Sequence, residues 1–398
     1  MNRYLKINIT SFIICIVALM LTGCFGKRKY EVTNENAISI TNVDLKNAVV
    51  NVYIENSGSM NGYMHPSSEF KNDLYSYISG ISSVVDNTNL NYISSSVIRI
   101  NQDPEVFFAN LNPASFRMSG LNTKYSEIVD MFKEMLSRTD KNTISIFASD
   151  CILDVTGGDA KDFFENRRTT LRDTITKQLN KDKDFAVEIF SCESSFDGNL
   201  YPYQSTPVPY KGKRPYYVWV FGPKHLIGAL NEKISPYDSF RTGGIKNSAS
   251  FANCGQMPLT LSLLGKEGNS IIIHGKKTEF EVLVNLSSSL LSEKQISDIA
   301  SYSYADSKTI VKEIGRIDNK QSSYTHVMKI QFNKTSKPIK QSIALPMNKE
   351  PKWAESLNDD SIGVEPNKTY GIKYLIYAVS DAYKNATPAQ IQFVINKK

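Results

Sequence analysis

A short apolar run that breaks into an acidic, hydroxyl-rich turn is the feature that most constrains this chain. Residues 49–54 (VVNVYI) are typical of a buried strand, and the sequence then continues as ENSGS. A turn at the end of a strand brings Glu55, Ser57 and Ser59 together. One carboxylate and two hydroxyls are hard oxygen ligands, which suit Mg²⁺ or Mn²⁺ better than a soft metal. The segment therefore predicts a divalent-metal site at a strand end.

The amino terminus is a short basic and apolar segment that ends in a cysteine. An apolar run at residues 9–21 follows two basic residues and leads into Leu-Thr-Gly-Cys, in which the cysteine is Cys24. The run is shorter than the roughly 20 residues that span a bilayer, and its organisation resembles a bacterial lipoprotein signal. We expect residues 1–23 to be a signal peptide, Cys24 to carry lipid and residues 24–47 to be a tether. A signal anchor with an incidental cysteine is the alternative.

The residues after Cys24 bear on where such a lipoprotein resides. Residues 25–29 (FGKRK) contain no acidic side chain. This composition argues against the acidic surface-export tag of lipoproteins from the Bacteroidetes group. We expect a lipid-anchored protein of the bacterial envelope, held in the outer membrane and facing the periplasm.

The charge of the chain is modest. The net charge of +6 falls to +4 when Arg3 and Lys6 leave with the signal peptide, so the sequence does not indicate a nucleic-acid binder. Beyond the amino-terminal segment, the densest basic run is Lys211-Gly-Lys-Arg214, inside a Pro- and Tyr-rich stretch. We interpret this run as a solvated loop.

Strand-like and helix-like patterns alternate over residues 48–246, which we interpret as one domain of this 398-residue chain. This order predicts an α/β fold with a doubly wound, mostly parallel sheet, and residues 191–215 are interpreted as a loop-like insertion. The predicted strands are 49–54, 97–100, 143–148, 185–190 and 216–221, with 105–108 as a further candidate. The predicted helices are 69–85, 125–136, 160–179 and 223–230.

The pattern changes over residues 247–398. Short strand-like segments follow one another there without intervening helices, apart from one helical pattern at 292–300. We expect a second domain that is antiparallel and β-sandwich-like. Its predicted strands are 270–274, 279–286, 324–332, 339–345, 370–379 and 390–395.

Three loops of the first domain resemble the metal-binding loops of von Willebrand factor A domains. The family's first loop has the pattern Asp-x-Ser-x-Ser, and here Glu55 stands in the Asp position before Ser57 and Ser59. The second loop is SGLNT, which supplies Thr123, and the third ends the 143–148 strand with Asp150. The resemblance implies a von Willebrand A-like fold with these residues around Mg²⁺ or Mn²⁺. It also implies a protein partner whose Asp or Glu carboxylate completes the metal's coordination.

Two other functions stay open at this point. One is a hydrolase in the same α/β architecture, with Ser57 or Ser59 as nucleophile and His65 or His225 as base. The other is a structural lipoprotein whose metal site has degenerated, for which Glu55 is the best indication. We expect a binding module rather than an enzyme, because the chain contains no Gly-x-Ser-x-Gly nucleophile motif.

Cys151 and Cys192 each follow one of two successive predicted strands. In the family that the first domain resembles, these two strands are neighbours, which would place the two thiols within reach of a disulfide. Two buried free thiols are the other arrangement. Cys254 is left unpaired in both cases, and the absence of a Cys-x-x-Cys motif argues against a zinc site.

Overall fold

The structure is a computed structural model. It describes residues 29–35, 38–40, 42–122, 127–155, 157–274, 278–319, 321–347 and 349–398.

The described residues form twenty strands and ten α-helices. The strands are β1 (Lys29–Thr33), β2 (Val49–Glu55), β3 (Asn87–Ile93), β4 (Val97–Arg99), β5 (Thr143–Ser149), β6 (Phe185–Leu200), β7 (Val208–Pro223), β8 (Ile245–Ala252), β9 (Gly255–Gln256), β10 (Leu259–Leu263), β11 (Lys266–Gly268), β12 (Ser270–His274), β13 (Glu279–Val284), β14 (Ser303–Tyr304), β15 (Thr309–Arg316), β16 (His326–Phe332), β17 (Ile339–Ala344), β18 (Asn358–Asp359), β19 (Thr369–Tyr370) and β20 (Ala389–Lys397). The helices are α1 (Glu69–Ser82), α2 (Pro104–Asn110), α3 (Pro113–Arg117), α4 (Ile128–Ser137), α5 (Ala160–Lys181), α6 (Lys224–Lys233), α7 (Pro236–Ser239), α8 (Glu293–Ser297), α9 (Lys352–Ser356) and α10 (Ile372–Ala382). Short 3₁₀ helices include Ser59–Tyr63 and Ser287–Ser289.

A seven-stranded mixed sheet lies at the centre of the α/β part, in the order β4-β3-β2-β5-β7-β6-β8. Strand β2 is parallel to both β3 and β5, whereas β7 is antiparallel to both β5 and β6. The expectation of a mostly parallel sheet is therefore wrong: only β3, β2 and β5 are parallel, whereas β4 is antiparallel to β3, and β7, β6 and β8 are joined by antiparallel pairings. The physical reason is that β6 and β7 form a hairpin, and a hairpin reverses the direction of its second strand.

The β6–β7 hairpin also replaces the loop that we expected at residues 191–215. Its strands stay paired from Phe185 opposite Pro223 to Leu200 opposite Val208. Asp197 lies opposite Lys211, and their side chains form an ion pair at 2.7 Å. The pairing could not be predicted from apolar runs, because both strands are polar in this part. Opposite charges on paired strands stabilise such a hairpin.

Helices cover both faces of the central sheet. Helices α1, α2, α3 and α6 pack on one face, and α4, α5 and α10 pack on the other. Fully buried aromatic side chains, among them Trp219 and Phe147, fill the second face. This burial on both faces is why the apolar runs of β2, β5 and β7 were recognisable in the sequence.

Two further sheets share one hydrophobic cluster. One has the order β12-β1-β20-β17-β14 with β9 beside β20, and the other has the order β11-β10-β13-β16-β15. Strand β1 lies inside the segment expected to be a tether, yet it is antiparallel to both β12 and β20. Residues 29–33 are therefore part of a sheet and not a polar linker.

The elements do not divide cleanly at residue 247. Strand β8 crosses that position and pairs with β6 in the central sheet. Helix α10 packs against the second face of the same sheet. The α/β part therefore draws elements from both of the predicted domains.

Three local assignments differ from the sequence patterns. Residues 105–108 lie in helix α2, because Asp103 caps it by accepting a hydrogen bond from the Glu105 amide at 2.8 Å. Residues 372–379 are helical, because the buried residues of α10 recur with a helical and not a strand period. Strand β3 was missed because its NTNLNYI sequence is rich in asparagine, which is rare in strands.

Gly228 lets α6 approach the 3₁₀ helix Ser287–Ser289 closely. A Cβ atom at Gly228 would lie 2.6 Å from the Ser287 carbonyl oxygen. We expect Gly228→Ala to lower the free energy of unfolding by about 2 kcal/mol, because the contacted atoms are backbone and cannot rotate away. Urea denaturation measures this change. Gly315→Ala is the matched control, since a Cβ there meets no atom within 4 Å; equal stability of the two variants would contradict the steric argument.

Candidate functional site

The candidate site lies at the carboxyl ends of β2 and β5. These strands are parallel neighbours in register, with Ile54 opposite Ala148. Glu55 therefore ends β2 beside the end of β5, and Asp150 follows β5 directly. Pairing of the two strands thus brings the first and third predicted loops together.

Glu55 is completely buried and is held toward β5. The Ser149 hydroxyl donates a hydrogen bond to Glu55 Oε2 and accepts one from the Cys151 amide at 2.6 Å. Cys151 has a left-handed backbone with φ of 55°, which is strained for a residue other than glycine. Its Sγ atom accepts a hydrogen bond from Trp219 Nε1 at 3.3 Å. The loop after β5 is therefore fixed by core contacts on one side and by Glu55 on the other.

Ser57 and Ser59 form a hydroxyl pair on the first loop. Their Oγ atoms are 3.0 Å apart, and both residues are buried. Ser59 begins the 3₁₀ helix Ser59–Tyr63, and Met60 Sδ accepts a hydrogen bond from the Asp150 amide at 3.1 Å. The hydroxyl pair is thus attached to the Asp150 loop.

Asp150 is the unsatisfied group of the site. It has no solvent exposure, and neither of its carboxylate oxygens accepts a hydrogen bond. Burial raises its pKa, while the Arg214 charge and the nearby Ser59 hydroxyl act in the opposite direction. The Ser59 hydroxyl and the backbone amides of Ile152 and Asp150 are close enough to lower the pKa of the carboxyl, but none of them has the geometry of a hydrogen bond to it. A buried carboxylate without hydrogen bonds is costly unless a positive charge balances it.

Arg214 was not predicted as part of the site. Strand β7 continues past the end of β5, where Tyr217 is opposite Ser149, and carries Arg214 over the two loops. Arg214 is only 3% exposed, and its guanidinium lies 5.3 Å from the centroid of the Phe196 ring. The interpretation of residues 211–214 as a solvated loop is therefore wrong for Arg214. Its place just before the apolar run at 216–221 was the available signal for burial.

The second loop is attached to the first through Asn56. The Asn56 side chain donates to the Phe116 carbonyl at 3.0 Å and accepts from the Ser119 hydroxyl at 2.6 Å. The segment that precedes Thr123 therefore lies beside the site. Thr123 itself and the lipidation candidate Cys24 lie outside the described residues.

The oxygen atoms of the site are suited to bind a small hard cation. Asp150 offers two unpartnered oxygens, and the nearby Ser59 hydroxyl, which is 3.0 Å from that of Ser57, offers a neutral one. Mg²⁺ and Mn²⁺ are bound by oxygen ligands of this kind. No group of three or more His, Cys, Asp or Glu side chains that could hold a metal is found among the described residues. A cation here would therefore rely on serine oxygens as well as on Asp150.

The two cysteines of the predicted pair are free. Strand β7 lies between β5 and β6, so the two strands that precede the cysteines are not neighbours. Cys151 belongs to the hydrophobic cluster on one face of the sheet and Cys192 to the cluster on the other. The family-based disulfide is thus incompatible with this strand order.

The two histidines considered as general bases are engaged elsewhere. His65 Nε2 is 3.1 Å from the Ser195 carbonyl oxygen. His225 contacts Asp184 and follows the carboxyl end of β7. Because β7 is antiparallel to β5, this end of β7 lies beside the amino end of β5, whereas Ser57 lies near the carboxyl end of β5. The seven residues of β5 separate these two ends by about 20 Å.

Comparisons with protein-family models, with curated proteins and with solved structures find no match to this chain. Within the described residues, no helix is both long enough and apolar enough to cross a membrane.

Proposed function

We propose that this protein is a lipid-anchored binding module of the bacterial envelope. In this proposal the α/β part is a von Willebrand A-like domain, and the two sheets that share a core form a β-sandwich-like domain beside it. Lipid on Cys24 holds the protein at the outer membrane, facing the periplasm. Its task is to bind another protein and not to catalyse a reaction.

The observation that carries the proposal is the isolated carboxylate of Asp150. Both oxygens are buried without a hydrogen-bond partner, beside the Ser57 and Ser59 hydroxyls at the carboxyl ends of two parallel strands. Mg²⁺ or Mn²⁺ would be held by Asp150, Ser57 and Ser59. Glu55 would add negative charge, although Ser149 already donates to one of its oxygens. The ion would supply an electrophilic position for an Asp or Glu side chain of the partner.

Calorimetric titration with MgCl₂ or MnCl₂ tests the ion site, using a soluble form that begins after Cys24. We expect one bound ion per chain, because Asp150, Ser57 and Ser59 form a single set of oxygen donors. We also expect an increase of about 2.7 kcal/mol in the free energy of unfolding at a hundredfold excess over the Kd. Asp150→Asn and the double variant Ser57→Ala/Ser59→Ala should lose both effects.

Asp173→Asn is the matched control, because Asp173 is an exposed residue of α5. It should bind the ion like the unmodified protein. Binding that survives in Asp150→Asn would refute the assignment of the site.

The position of the Arg214 charge favours a second candidate function, that of a structural lipoprotein which keeps the fold but binds no ion. The buried Arg214 guanidinium already places one positive charge near Asp150. Absence of ion binding by the unmodified protein would support this candidate. Binding of a protein partner would then be unaffected by EDTA.

A further inference from the structure

A second candidate site shares no lining residue with the strand ends discussed above. A cavity of about 310 Å³ opens where the central sheet meets the two sheets that share a core. Residues of β6, β8, α6 and α7 line one side, and residues of the 3₁₀ helix Ser287–Ser289, α8, β15 and β16 line the other. None of the residues predicted from the sequence as a site lines this cavity. Its volume is at the lower end of the range for small-molecule sites.

Glu188 is the buried acid of the cavity. It is 3% exposed, accepts a hydrogen bond from Asn231 Nδ2 at 2.9 Å and accepts a second from the Ser250 hydroxyl at 3.4 Å. The carbonyl oxygen of the same side-chain amide, Asn231 Oδ1, is buried without a hydrogen-bond partner. The cavity thus presents a carboxylate and an unused carbonyl oxygen, both of which are acceptors.

The charged groups around Glu188 leave an excess of negative charge. Glu293 already occupies two of the basic side chains, with Arg316 at 2.7 Å and His326 at 3.3 Å. Glu188 and Glu232 form no ion pair within the described part of the chain. The ionisable groups that line the cavity besides Glu188 and Tyr237 are Glu232, Lys233, Asp238, Glu293, Arg316 and His326.

Part of the cavity lining is apolar, with aromatic rings on one side and aliphatic side chains on the other. Phe190 and Tyr237 meet edge to face with ring centroids 6.3 Å apart. Leu290 and Ile296 add aliphatic surface on the opposite side. Aromatic rings next to a carboxylate form a favourable environment for an organic ammonium group.

We propose that this cavity binds a small organic cation that has a primary ammonium group and an aliphatic body. The ammonium group donates hydrogen bonds to Glu188 and to Asn231 Oδ1, so it satisfies the acceptor that the protein leaves without a partner. The aliphatic body lies against Phe190, Tyr237 and Leu290. The proposal does not depend on the ion site at Asp150.

Binding should strengthen as the pH rises through neutrality. Burial raises the pKa of Glu188 to about 7, so its charged form becomes dominant only above that pH. The neighbouring phenols, Tyr77 and Tyr237, stay neutral because burial raises the pKa of both. An alkylammonium ion keeps its charge throughout this range. Burial also raises the pKa of Glu232. We expect the ionisation of Glu188 to have the larger effect on affinity, because Glu188 accepts the hydrogen bond of the ammonium group.

Titration calorimetry of the full chain with n-butylamine at pH 6 and pH 8 tests the proposal. For the unmodified protein we expect saturable binding that is about tenfold tighter at pH 8 than at pH 6. At pH 8, Glu188→Gln should bind n-butylamine about tenfold more weakly than the unmodified protein. Glutamine keeps the shape of the side chain, so this variant should fold. Glu232→Gln serves as a second variant and should weaken binding by about threefold, because Glu232 contributes only at the cavity rim.

Glu313→Gln, on the exposed side of β15, is the matched control and should bind like the unmodified protein. n-Butanol has the same aliphatic body without the charge and should not bind. Lack of n-butylamine binding at pH 8, equal binding of n-butanol, or an unchanged affinity in Glu188→Gln would each overturn the proposal.

Discussion

Arg214→Met should lower the free energy of unfolding by about 3 kcal/mol in the presence of EDTA, because it leaves a buried carboxylate without a nearby positive charge. Arg214 is 3% exposed, and its charge opposes the effect of burial on the pKa of Asp150. Methionine retains much of the contact with Phe196 while it removes the charge. Chemical denaturation followed by circular dichroism measures the change.

The double variant Arg214→Met/Asp150→Asn separates loss of charge from loss of packing. It should recover most of the stability, because the Asp150 carboxylate that Arg214 balances is then replaced by a neutral amide. Saturating Mg²⁺ should also restore Arg214→Met, if the ion binds at Asp150 as proposed. The exposed Arg138→Met is the control and should change stability by less than about 0.5 kcal/mol. A double variant as unstable as Arg214→Met would show that the effect is packing alone.

Glu188→Gln is expected to stabilise the protein by about 3 kcal/mol at pH 8. Burial raises the pKa of Glu188 from 4.5 to about 7 in the folded protein. Below pH 4.5 the carboxyl is protonated in both the folded and the unfolded chain, so folding incurs no cost of ionisation. As the pH rises through 7, the unfolded chain is already ionised and the folded protein must hold a buried charge, so stability is lost. Glutamine does not titrate and avoids this loss.

The pH dependence of the stability difference between Glu188→Gln and the unmodified protein distinguishes this effect from a general gain in packing. At pH 5 the free energy of unfolding of Glu188→Gln should exceed that of the unmodified protein by less than about 1 kcal/mol. This pH is only half a unit above the ordinary pKa of 4.5, so ionisation has stabilised the unfolded chain only slightly. Denaturation at pH 5 and pH 8, with Glu313→Gln as control, gives the comparison. A constant gain at both values would mean that Glu188 titrates normally.

The part of the site that could be predicted from the sequence depends on buried strands. The runs before Glu55 and Asp150 are rich in apolar and β-branched residues, so they indicated buried strands whose ends carry the two loops. Parallel pairing of β2 and β5 then brings those loops together. The direction of β7 could not be predicted in the same way, because an apolar run has the same pattern in either direction.

The parts that were missed depend on contacts between distant segments. Arg214 is buried because the hairpin continues over the loops after β2 and β5, and nothing in the local sequence sets its length. Helix α10 contains tyrosine, isoleucine and valine, which favour strands, but its packing on the central sheet selects the helix. Strand β1 finds partners only in β12 and β20, more than two hundred residues away. Tertiary packing thus overrides local propensity in each case.

The position of β1 determines how far the folded body would lie from a lipid on Cys24. Five residues lead from Cys24 to Lys29, the first residue of β1, and a fully extended chain of that length covers about 17 Å. If Cys24 carries the proposed lipid, the folded body is therefore held close to the bilayer surface and cannot extend toward distant partners. A pull along β1 would be resisted by its pairing with both β12 and β20. Because the two rows of backbone hydrogen bonds would share that load, the proposed anchor would be joined to the body by a mechanically firm connection.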